Sequence, residues 1–79
     1  KDVEIKEVTK VLKELRVPAS IKGYDYLREG ILMVINTPGK KIAMTKEMYP
    51  TLANKFNDTE SKVERAIRHA VGIAHKSWH

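Results

Sequence analysis

Six side chains between residues 61 and 69 are of types that can do chemistry on a partner: Ser61, Lys62, Glu64, Arg65, Arg68 and His69. On a helix, residues three and four apart are neighbours, so these six share one polar face. Val63, Ala66, Ile67, Ala70, Val71 and Ala74 alternate with them as a stripe of small or β-branched residues that predicts close packing. Positions on the N-terminal half of such a helix are the ones a recognition helix uses to reach base edges in the major groove. Arginine can donate two hydrogen bonds to O6 and N7 of guanine, and glutamate can accept from the N4 amino group of cytosine. A surface built only to attract phosphates would avoid Glu64. The plainer explanation is a solvated helix face with i,i+4 pairs, such as Glu64 with Arg68.

Other chemistries find no complete set of residues. The chain has no cysteine, which excludes disulfides, thiolate nucleophiles and Cys-based zinc sites. His75 and His79 are spaced to share a metal on a helix, with His69 as a distant third. Two histidines fall short of the usual ligand count, so no metal is expected. Glu60 and Glu64 have no pocket or nucleophile beside them, and Ser61 with His69 lacks a third partner for a triad. There is no glycine-rich phosphate loop. No catalytic residue and no cofactor is assigned, and an enzyme is not expected.

Length and charge agree with a binding module. The 79 residues are expected to form a single domain over 1–79. Lys and Arg total 15 against 10 Asp and Glu, a net charge of +5. Residues 1–39 hold seven basic and six acidic residues, whereas 40–79 hold eight and four. The excess positive charge therefore sits in the second half, a footprint expected of a nucleic-acid binder but shared by lysine-rich solvated surfaces. No apolar run approaches the roughly 18 residues of a membrane span. Lys6, Glu7, Lys10 and Lys13 interrupt any signal-peptide core, so a cytoplasmic location is expected.

Four helical segments and no strand are predicted. In the first, Ile5, Val8, Val11, Leu12 and Leu15 form an apolar stripe, with Asp2 as cap, Glu4 in the first turn and Pro18 as terminator. The second spans about 21–35, capped by Ser20, with Tyr24, Leu27, Ile31, Val34 and Ile35 inward. Gly30 either marks a close helix crossing or is a simple weakness. The third runs from a cap near Thr45 to Phe56. Proline is tolerated only in a first turn, so Pro50 requires either a start near Tyr49 or a separate turn over 45–49. Thr59 caps the fourth, from about Glu60 to His75. Tyr24 and Tyr49 suit the core, whereas Tyr26 is a candidate for stacking on bases. Lys22, Lys40, Lys41 and Lys46 are either phosphate contacts or ordinary solvated lysines.

Only about three residues separate the last two segments, which is the arrangement of a helix-turn-helix over about 45–75. Ala53 is small where the helices would touch, and Asn57 tolerates a left-handed turn. A plain helical hairpin has the same spacing.

Several stretches carry a resemblance. Val17-Pro18-Ala19-Ser20-Ile21-Lys22-Gly23-Tyr24 with Tyr26-Leu27-Arg28-Glu29, Tyr49-Pro50 with Ala53 and Lys55-Phe56-Asn57, and above all Val63-Glu64-Arg65-Ala66-Ile67-Arg68-His69-Ala70 are similar to the effector domain of the stage-zero sporulation protein A family of response regulators. The resemblance covers most of residues 5–74. It implies an all-α, small helical bundle containing a helix-turn-helix, whose second helix enters the major groove of a short GC-containing box. The family's DNA-reading Glu-Arg pair falls on Glu64 and Arg65, its Arg-His pair on Arg68 and His69, and a basic residue on Lys62. Full-length members carry a receiver domain that nothing here supplies, and the family's last helices are expected to be absent. Double-stranded DNA is the expected partner, with a homodimer or tandem copies on DNA as further options. RNA polymerase contact is in doubt without the last helices, and no membrane partner is expected. The alternative function is a helical protein-interaction or self-associating, domain-swapped module.

Overall fold

The computed structural model describes residues 2–78, with side chains from Ile5 onward. The side chains of Asp2 and Glu4, read above as cap and first-turn acid, lie outside the described residues, as does His79. Four α-helices follow in order: α1 (Asp2–Glu14), α2 (Lys22–Ile35), α3 (Tyr49–Lys55) and α4 (Glu60–Lys76). A wider turn, Met44–Met48, leads directly into α3. No strand occurs among the described residues.

The end of α1 is set by backbone geometry before Pro18 is reached. Arg16 takes a left-handed φ of 64°, and the Val17 N–H bonds back to the Leu12 carbonyl at 3.0 Å. This 6→1 bond closes the helix, and Val17 packs in the same apolar cluster as Leu12. Ile21, not Ser20, occupies the cap position of α2, in extended conformation and with no side-chain cap.

Pro50 explains the turn before α3. It has no N–H for the Lys46 carbonyl, and its ring crowds that carbonyl. The backbone widens accordingly, with Met48 N–H bonding to Ala43 O at 3.1 Å and Tyr49 N–H to Met44 O, both five residues back. Glu47 closes the start of the turn by accepting from the Ala43 N–H at 3.3 Å, so Thr45 is not the cap. This backbone bond and Lys40, 3.3 Å from the carboxylate, hold Glu47 below its usual pKa.

Two apolar clusters hold the helices. Val8, Leu12, Val17, Tyr24, Ala70 and Ala74 join α1, α2 and the C-terminal half of α4. Tyr26, Met48, Leu52, Ala53, Val63 and Ile67 join α2, the wide turn, α3 and the N-terminal half of α4. Helix α2 contributes to both, so its buried residues do not form the single stripe expected. Tyr26 is fully buried, while Val34 and Ile35 are exposed. Val71, the α1 residues Ile5 and Val11, and Leu15 just after α1 also face outward, although all four were expected on inward stripes.

Helices α2 and α4 cross closely at Gly23. A Cβ there would lie 2.3 Å from the Ala66 carbonyl oxygen and 2.7 Å from the Ala70 Cβ. Gly30 faces the Met48 sulfur, 3.0 Å from where its Cβ would stand. At the far end of α4, the Trp78 Nε1–H donates to the Leu15 carbonyl at 2.7 Å, and Arg16 donates to the Ser77 carbonyl at 3.2 Å.

Candidate nucleic-acid interface

Residues 56–59 join α3 to α4. Asn57 adopts φ 53°, the left-handed conformation expected of it, and the Asp58 N–H bonds back to Ala53 O at 2.8 Å to close α3. Thr59 is extended, with φ −95° and ψ 154°, and its Oγ1 accepts from the Lys62 N–H at 3.2 Å. That bond satisfies one of the free donors at the start of α4. Ala53 is buried at the contact of the two helices. The geometry fits the helix-turn-helix expected from the sequence.

The chemistry-bearing residues divide cleanly from the packed ones. Val63, Ile67, Ala70 and Ala74 are buried, whereas Ser61, Lys62, Arg65, Arg68 and His69 are exposed and Glu64 is half-buried. Ser61, Glu64, Arg65 and Arg68 border one shallow groove, shared with Glu60 and with Thr45 and Tyr49 from the elements before the turn. Lys62 and His69 lie on the same helix outside that groove.

One ion pair crosses the face. The Arg68 guanidinium lies 3.5 Å from the Glu64 carboxylate, the i,i+4 pair of the plainer reading. Arg68 remains 70% exposed in it, so the pair is worth little to stability. A carboxylate has about four acceptor sites, which leaves Glu64 able to accept from a second donor. Among the described residues, Arg65 has no ion-pair partner.

Two of the four lysines considered as phosphate contacts are engaged within the protein. Lys22 lies 3.4 Å from Asp58, and Lys40 is on Glu47. Lys41 and Lys46 are exposed. Lys55 pairs with Glu29 of α2 at 2.7 Å, tying the end of α3 to α2.

Tyr26 and Asp58 were not foreseen as a pair. Tyr26 is buried, so it cannot stack on bases as the sequence suggested. Its ring meets Phe56 edge to face at 5.0 Å, and its hydroxyl donates to Asp58 Oδ2 at 2.6 Å. Asp58 Oδ1 accepts from the Thr59 N–H at 2.8 Å. The tyrosine hydrogen bond, then the backbone bond, pull the Asp58 carboxyl down to about 2. Burial, followed by the bond to Asp58, pushes the Tyr26 hydroxyl up to about 12. The available signal was the Asn-Asp-Thr run itself, rich in side chains that bond to nearby backbone.

The described residues contain no cluster that could hold a metal ion, and no described helix is long and apolar enough to cross a membrane. A protein-family model described as "Sporulation initiation factor Spo0A C terminal" matches residues 8–79. That span takes in all of the helical core, the turn and the exposed face of α4. The chain therefore belongs to the Spo0A C-terminal family, the DNA-binding effector domains of a sporulation transcription factor, a family of regulators and not of enzymes.

Proposed function

We propose that the chain is a sequence-specific binder of double-stranded DNA. It acts in the cytoplasm through a helix-turn-helix over residues 45–75. The N-terminal half of α4 enters the major groove, where Arg65 reads guanine and Glu64 reads cytosine. Arg68 and His69 contact a base or phosphate further along, Ser61 contacts the DNA at the start of the helix, and Lys62 contacts a phosphate. The observation that carries this reading is an exposed Arg65 with no ion-pair partner, beside Glu64 on the groove shared with Thr45 and Tyr49.

The test compares a duplex carrying the family's box with a scrambled duplex, at two salt concentrations, because phosphate contacts alone give salt-dependent binding without sequence preference. The wild type binds the box more tightly. Arg65→Ala loses about 1–3 kcal/mol on the box and relaxes preference at one base pair. Equal losses on both duplexes would make Arg65 a phosphate contact and overturn the assignment.

A further inference from the structure

Asp58 reaches three parts of the fold from one carboxylate. It sits in the turn, accepts from the backbone of the α4 cap residue Thr59, and accepts the hydroxyl of Tyr26 from α2. Its side chain is only 9% exposed. The Tyr26 hydroxyl has little freedom, because its ring is enclosed by Phe56, Leu52, Val63 and their neighbours. The core of α2 thus ends in a hydrogen bond on the residue that precedes, and holds the backbone of, the α4 cap.

We propose that Tyr26 and Asp58 are positioning residues for DNA reading, fixing the angle at which α4 presents Glu64 and Arg65. This rests on the reading of α4 as the recognition helix. Bidentate base contacts tolerate little misplacement, whereas phosphate attraction is insensitive to a small tilt. A loosened α4 therefore loses discrimination before it loses general affinity. At the other end of the helix the side-chain hydrogen bonds lie beyond residue 76, and the apolar packing of Ala70 and Ala74 on α1 is non-directional. The Lys55–Glu29 pair steadies α3 but does not touch α4.

The experiment measures affinity of Tyr26→Phe and Asp58→Asn for the box and scrambled duplexes, at a temperature where circular dichroism shows wild-type helicity. Tyr26→Phe keeps the ring and removes only the hydroxyl. The expected result is a loss of fivefold or more on the box, with affinity for the scrambled duplex and the salt slope unchanged. Val8→Ala, which weakens the other apolar cluster, serves as a comparison for stability loss alone and leaves the ratio of affinities intact. In a double-variant cycle, Tyr26→Phe adds little once Arg65 is alanine. An unchanged ratio in both variants, with a wild type that discriminates, would overturn the positioning role alone. Loss of helicity in both would also overturn it, because the pair would then hold the fold and not aim the helix. A wild type that fails to separate the duplexes overturns the recognition-helix reading and this proposal with it.

Discussion

Replacing Gly23 by alanine forces α2 and α4 apart. The new Cβ would stand 2.3 Å from the Ala66 carbonyl oxygen, 3.0 Å from its carbon and 2.7 Å from the Ala70 Cβ. Comfortable carbon contacts need roughly 3.5 Å, so the helices must separate locally by about 1 Å. The obstacle is backbone inside α4, which cannot rotate away as a side chain does. Overpacking of this kind costs about 1–3 kcal/mol. The helix-propensity gain of alanine over glycine, at most about 1 kcal/mol, recovers part of it. A net loss of about 1 kcal/mol corresponds to a melting temperature lower by roughly 4–8 °C for a domain this size. Urea and thermal unfolding followed by circular dichroism measure it. Gly72→Ala supplies the control, since nothing lies within 4 Å of its Cβ position. It should stabilise by about 0.5–1 kcal/mol. Gly30→Ala falls between them, because the facing Met48 sulfur belongs to a flexible side chain. A Gly23→Ala protein as stable as wild type, alongside a stabilised Gly72→Ala, would refute the close crossing.

Three further outcomes are expected. Lys62→Ala weakens binding to all sequences alike and lowers the salt slope by about one; an unchanged slope removes Lys62 from the footprint. Thr59→Ala costs about 1 kcal/mol in urea unfolding through loss of the α4 cap, and Thr59→Ser retains most of it; equal losses would show that the hydroxyl is not the capping group. Folding pulls the Asp58 carboxyl from its ordinary 3.8 down to about 2, so its stabilisation is present above the unfolded value and is lost as pH drops through about 2. Asp58→Asn should flatten the acid limb of stability in that window, and identical limbs in the two proteins would sink the assignment.

The local features of α4 were legible in the sequence. Thr59, Asn57 and four of the six stripe residues, Val63, Ile67, Ala70 and Ala74, stand where expected, whereas Ala66 is half-buried and Val71 faces outward. Pro50 likewise announced a break, although not the five-residue bonds that precede it. The exposed face of Ser61, Lys62, Arg65, Arg68 and His69 followed from the same period. Helix α2 was harder because it is packed from several sides. Periodicity favours one stripe, and it chose Val34 and Ile35 over Tyr26. Gly23 carries no sign of its packing role in the sequence, since a close crossing shows only once both helices are placed. Asp58 looked like a loop residue because its tyrosine partner lies 32 positions away.

Trp78 is the chain's single tryptophan, and its indole nitrogen is committed to the end of α1. It lies 13 residues beyond Arg65 along the chain, about 20 Å if measured at the helical rise. Its emission is therefore an intrinsic optical probe of whether the first helix is seated, insulated from whatever occupies the opposite end of α4. Undocking of α1 can be followed in the presence of DNA without attaching a dye.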